Sequence, residues 1–259
     1  MRIFVKVERK KISAEVRRHV RQRCHFGCVI CGLPLYEYDH MFDYAVTGTH
    51  KEEELTLLCD RHHSEKTKKL LPRETVIAAN KAPFNKTHDV SEPYGFHFSG
   101  SRCEFVLGGN NRFLASKARL VPILVNGDEV LVFDFRDGHL LLSAMIRDRN
   151  GQKILSIEEN ELTYSSGTWD IDFVGRELTL RNGLRDFQFQ ATFETPGRVV
   201  VSRLDIRYGD VRVYVDPKGI HVRGPGERSR DLSSVTMLGG FEHAVVLDSH
   251  GVRAAGLIL

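Results

Sequence analysis

Side chains able to bind a metal are concentrated in one short stretch. Cys28-Val29-Ile30-Cys31 is followed by Asp39-His40, and then by Cys59-Asp60-Arg61-His62-His63 with Lys66 and Thr67 just beyond. Thiolates and imidazoles together are zinc donors, and a structural zinc takes four of them in a tetrahedron. Cys28 and Cys31 stand between Gly27 and Gly32, which reads as a tight knuckle aiming two sulfurs at one ion. Cys59 and His62 repeat the two-residue spacing and complete the set. Alone, the first pair could equally be a redox dithiol, but no βαβ pattern surrounds it. Cys24 and His25 are the nearest substitute ligands, and Cys103, far along the chain, reads as a buried free thiol.

The elements that must position these groups can be sketched from pattern. Ser13 is placed to cap a helix running to about Arg23, with Glu15 in its favourable first turn. Val16 and Val20 would face inward, while Arg17 and Arg21 form a basic stripe suited to a phosphate backbone or to plain solvation. A short strand is expected over residues 1–11. Two further short strands flank Asp39-His40 and Glu54-Leu55-Thr56-Leu57-Leu58, with a loop at Thr47-Gly48-Thr49. A helix from Asp60 to about Leu70 then stops before Pro72. On it, His62 and His63 point about 100° apart, so one can face zinc while the other faces a different pocket.

The combination of Cys-x-x-Cys, Asp-His and Leu-Leu-Cys-x-x-His-His-x-x-Lys-Thr resembles the zinc-containing branch of the HNH (ββα-metal) endonuclease family. It covers about 50 of the 259 residues. The resemblance implies a ββα unit stapled by Cys28, Cys31, Cys59 and His62. It makes Asp39 a ligand of a catalytic divalent cation, Mg²⁺ or Mn²⁺, with His63 as the second protein ligand and His40 as general base. It also implies a 5′-phosphate and a 3′-hydroxyl as products and, because such modules act where two cuts are needed, a homodimer. The family's middle Asn is replaced by Glu54. A carboxylate there could steady His40 and raise its basicity, join the cation, or slow the site.

Hydrolysing a phosphodiester requires an activated water, neutralised phosphoryl charge and relief for the departing 3′ oxygen. A neutral imidazole can take the water's proton, since its ordinary pKa is about 6.5. A cation at Asp39 and His63 would supply the electrostatic part. Lys66, three residues past His63, could hold a phosphate or simply be solvated. The competing reading is a zinc-stabilised nucleic-acid clamp in which Glu54 marks lost catalysis and the remaining chain binds a ligand or partner.

Beyond residue 73 the character changes. A short helix is expected around Glu74–Asn80, followed by an extended linker packed by its aromatics, with His88 and His97 as ordinary polar residues. From about residue 100 the pattern is β throughout. Phe187, Phe189, Ala191 and Phe193 alternate with polar residues, as do Val211, Val213 and Val215. Asn126-Gly127, Asp137-Gly138, Asn150-Gly151 and Asn182-Gly183 are hairpin signals. The expected class is α+β: an N-terminal nuclease module over 1–75, a packed linker over 76–100, and an all-β domain over 101–259. That domain would be a sandwich or barrel, with a β-solenoid as third choice. Trp169 reads as a core anchor, and 256–259 as a final strand or subunit contact. His139, His221, His243 and His250 have no paired spacing. The β domain would serve recognition, dimerisation or restraint.

Composition bounds the partners. Residues 1–74 carry 15 Lys/Arg against 11 Asp/Glu, whereas the remainder carries 22 against 23. The basic bias at the N-terminal end suits a polyanion, and with the resemblance the expected partner is double-stranded DNA. Restriction or defence against foreign DNA would suit that build. No apolar run reaches the roughly 18 residues of a membrane helix. The five cysteines, three of them in ligand spacing, fit a reducing cytoplasm.

Overall fold

A computed structural model of the chain describes residues 11–42, 50–125, 127–209, 211–224, 229–239, 243–248 and 251–253. The expected strand at 1–11, the Thr47-Gly48-Thr49 loop, Asn126, His250 and the closing 256–259 segment lie outside these residues, apart from Lys11, which is in no element.

Helix α1 spans Ala14–Arg23, and the Ser13 hydroxyl accepts from the Val16 amide at 3.2 Å, the cap its sequence predicts. Val20 is fully buried, and Val16 packs against the same apolar cluster. Strands β1 (Glu37–His40) and β2 (Leu55–Leu58) pair antiparallel, with His40 opposite Leu55 and Asp39 opposite Thr56. Helix α2 follows at Asp60–Thr67. It ends short of the expected Leu70 because Lys69 is left-handed (φ 62°) and the Leu70 and Leu71 amides turn back to the Glu65 carbonyl. Helices α3 (Arg73–Lys81) and α4 (Phe84–His88) come next.

The expected linker therefore divides between two apolar cores. Val76, Ile77 and Ala79 join the N-terminal cluster around Leu55, Leu57 and Leu58, whereas Phe96 and Phe98 enter the β core. That second core lies between two large antiparallel-rich sheets. One has eight strands, running from Gly251–Arg253 through Leu120–Val125 to Tyr94–Gly95; the other has ten, centred on the long strand Arg198–Tyr208. Phe105 of one sheet meets Phe133 of the other with ring centroids 4.6 Å apart. Among the described residues both sheets are open, which removes the barrel from the expected alternatives and leaves a mostly β protein.

Two local expectations need correcting. Asn182-Gly183 does not make the turn: Gly183 still pairs with Asp186, and the chain reverses at Leu184-Arg185, with Arg185 left-handed at φ 63°. The register along Glu177–Leu180 is already the one that sets Gly183 opposite Asp186, and the irregularities at Leu180/Arg181 and Arg181/Gly183 cancel. Trp169 is half-buried rather than a core anchor. Its ring lies under the Arg18 guanidinium at 5.5 Å, and its carbonyl accepts from Gln22.

Those contacts belong to a joint between the two cores. Arg21 is buried (4% exposed) and forks onto both oxygens of Asp170 at 2.8 Å, with Asp172 at 3.1 Å and the Tyr38 hydroxyl at 2.8 Å. Arg181 reaches the same Asp170 from the β side at 2.7 Å. Phe26, two residues before the first knuckle cysteine, is buried in the β core, and the Tyr164 hydroxyl donates to its carbonyl.

Removing one partner of a buried pair leaves an uncompensated charge. Asp170→Ala should therefore cost about 3–5 kcal/mol of stability, read as a lowered urea midpoint. An unchanged midpoint would mean that this joint adds nothing to the fold.

Candidate metal centre and active site

The four zinc-type donors converge. The ligand atoms of Cys28, Cys31, Cys59 and His62 all lie within 4.8 Å of one another. The Cys31 and Cys59 sulfurs are 3.9 Å apart, and His62 Nδ1 is 3.3 Å from both the Cys28 and the Cys59 sulfur. A tetrahedral zinc, with bonds of about 2.3 Å to sulfur and about 2.05 Å to nitrogen, sets ligand–ligand edges of roughly 3.6–3.8 Å. The cluster is already close to that size.

The thiols' acidity points the same way. A hydrogen bond from the Cys31 thiol, then backbone amides, bring Cys28 down to about 5. Cys31 is pushed up by sharing that proton with Cys28, and Cys59 by burial. One thiolate is stable here, whereas three in such a space need a cation between them. The donor set thus fits a metal such as zinc.

The surrounding structure explains the geometry. Gly32 has φ 75°, and a Cβ there would fall 2.3 Å from Asn85 Oδ1; one on Gly27 would fall 2.5 Å from Asn85 Nδ2. Asn85, nearly fully buried, donates to the carbonyls of His25 and Gly32 and so braces the knuckle. The Val29 amide donates to the Leu57 carbonyl at 3.0 Å, tying the knuckle to β2. Cys24 is buried beside Thr56 and Asn80, outside the four-donor group, and His25 is likewise not a member. Cys103 is a buried free thiol, its pKa pushed up to about 11 by burial.

The adjacent histidines on α2 part company. His62 is buried against the thiols, while His63 faces β1, where its Nε2 is 3.5 Å from Asp39 Oδ1. Glu37 receives the other His63 nitrogen at 3.0 Å. Glu37 and Asp39 are two apart on one strand and so share a face, a signal present in the sequence but not read there. Lys66 Nζ donates to Asp39 Oδ2 and to the His40 carbonyl. Lys66, expected to meet a phosphate or simply to be solvated, is paired with Asp39.

Asp39, His40, His63 and Lys66 line one open cavity of about 870 Å³, with Glu37, Tyr38 and Arg73 also on its wall. His40 Nε2 lies 3.1 Å from His50 Nδ1, a contact with no local sequence signal. Glu54 sits in a single 3-10 turn immediately before β2, and its carbonyl accepts from the Met41 amide at 2.8 Å. That places its backbone beside the residue pair His40–Leu55.

The basic stripe is only half realised. Arg17 is exposed, but Arg21 is buried on Asp170 and cannot reach a phosphate. The expectation that both bind nucleic acid is corrected for Arg21, whose partners come from a distant strand. His221 is clamped between Asp216 at 3.0 Å and Asp231 at 2.9 Å and stacks on Tyr214, a contact that joins neighbouring strands. None of the described helices is long and apolar enough to cross a membrane.

Comparison of the chain with protein-family models, with curated proteins and with solved structures returns no match.

A metal held by these four donors would be part of the fold. Purified protein should carry about one equivalent of zinc per chain, and Cys59→Ser should lower both metal content and thermal midpoint. Less than about half an equivalent, by elemental analysis of protein purified without chelator, would remove the zinc assignment.

Proposed function

We propose that the protein is a metal-dependent endonuclease of the HNH (ββα-metal) type that hydrolyses phosphodiester bonds in double-stranded DNA, leaving 5′-phosphate and 3′-hydroxyl ends. The observation carrying this reading is the divergence of His62 and His63. One imidazole joins three thiols, and the other meets Asp39 across an open cavity that also holds His40. Two metal environments, one soft and closed, one hard and open, on a strand–strand–helix frame are what such a nuclease requires.

The residues fit the second ion. Oxygen and nitrogen ligands of an octahedral Mg²⁺ are about 3 Å apart along an edge, and Asp39 Oδ1 and His63 Nε2 are 3.5 Å apart. Glu37 on the far nitrogen of His63 would fix the ring so that Nε2 faces Asp39. A cation bound there supplies charge neutralisation at the phosphoryl oxygen. His40 is the base for the attacking water, and its Nε2 lies against His50 Nδ1. Lys66 holds Asp39 and the His40 carbonyl together, so the ligand and the base are fixed relative to each other. The β domain would lend recognition, dimerisation or restraint, and a role in restriction or defence suits this build.

A zinc-stabilised nucleic-acid clamp is the second reading, favoured by Glu54 at the family's Asn position. Supercoiled plasmid incubated with Mg²⁺ or Mn²⁺ separates the two. Nicking should require the cation, stop with EDTA, and fall by about 10²–10⁴-fold in His40→Ala. Binding without nicking would overturn the enzyme and leave the clamp. Persistent Mg²⁺-dependent nicking in His63→Ala would displace the cation site. Glu54→Asn should change the rate: a rise identifies the carboxylate as a brake, a loss as a recruited group.

A further inference from the structure

We infer that the cleft between α1 and the neighbouring β sheet is a second nucleic-acid contact. The inference rests on the nuclease reading for its substrate, and adds where the β domain touches it. A cavity of about 280 Å³ opens there, walled by Arg17, Arg18 and Arg21 from the helix and by Trp169, Arg181, Arg185 and Phe187 from the β side.

Charge accounting shows what the cleft offers. Arg21 and Arg181 are committed to Asp170, and Arg21 also to Asp172, so these four groups largely neutralise one another. Arg17, Arg18 and Arg185 remain, and no carboxylate among the described residues makes an ion pair with any of them. Against Asp170 and Asp172, which also line the opening, its five arginines leave an excess of three positive charges, a site for phosphates.

Aromatic faces stand beside them. Arg18 covers Trp169 at 5.5 Å, while Phe187 lies between Arg181 at 5.2 Å and Arg203 at 5.4 Å. Arginines held on aromatic rings give the cleft a cationic wall that can lie against a phosphate–sugar backbone. The cleft is also next to the catalytic cavity. Tyr38 lines that cavity, yet its hydroxyl accepts from Arg21 and donates to the Arg17 carbonyl. Glu37 and Asp39 face the cavity while the Tyr38 side chain points to the other face of β1, so the cleft lies behind the strand that carries the cavity's carboxylates. Leu184, exposed beside Arg185 at the turn, marks the outer lip.

The test reads binding rather than cutting. A fluorescein-labelled duplex of about twenty base pairs is titrated in EDTA, by anisotropy, at several salt concentrations. In Arg18→Gln/Arg185→Gln, both surface changes, the Kd should weaken about tenfold or more and the slope of log K against log salt should fall by about 1–2. Trp169 is the only tryptophan, so its emission should also change as unlabelled duplex binds the wild-type protein. A double variant with wild-type affinity and slope overturns the inference, as does duplex binding that leaves Trp169 emission untouched. These outcomes are separable from failure of the nuclease: a protein that binds through this cleft but never nicks plasmid loses only its catalytic assignment.

Discussion

Three thiols and an imidazole crowded within 4.8 Å are a constraint before they are a site. Burial and mutual repulsion oppose more than one thiolate, so the arrangement is stable with its full charge only around a cation. The four donors come from three parts of the unit: the knuckle brings Cys28 and Cys31, the end of β2 brings Cys59, and α2 brings His62. Fixing them together fixes the angle of α2 against β1. The same helix carries His63 and Lys66 onto Asp39.

The second constraint is electrostatic and lies at the joint. Arg21 gives up the solvent that an arginine ordinarily keeps, and Asp170 does the same from the other core. A fork geometry onto one carboxylate, with Asp172 and the Tyr38 hydroxyl completing the shell, compensates that loss in hydration. Because Tyr38 is in β1, the same network steadies the strand that presents Asp39. The open cavity is therefore held from two sides, by thiols behind it and by a buried ion pair beside it.

Local information served the N-terminal unit well. The Ser13 cap, the two strands around Asp39 and Leu57, and the separation of His62 from His63 all follow from spacing of fewer than five residues or from helix periodicity. What escaped were contacts made across the fold. Arg21 looked like one side of a solvated stripe because its partner is 149 residues away. Trp169 looked like core because bulk argues for burial, yet it ends beneath Arg18 at the joint. His50 and Asn85 carry no motif, since their partners lie elsewhere in the chain: His40 for the first, the carbonyls of His25 and Gly32 for the second. In the β sheets, alternation revealed strands but not the register that puts the turn past Asn182-Gly183.

Phe26 gives the position of the knuckle a further meaning. Its ring belongs to the β core while Cys28, two residues on, belongs to the metal group, so the backbone between them has no slack. An excised N-terminal segment would bring to water an aromatic ring and a guanidinium that the intact chain keeps dry. The metal-binding unit is in that sense not portable: its half of the molecule borrows part of its interior from the other.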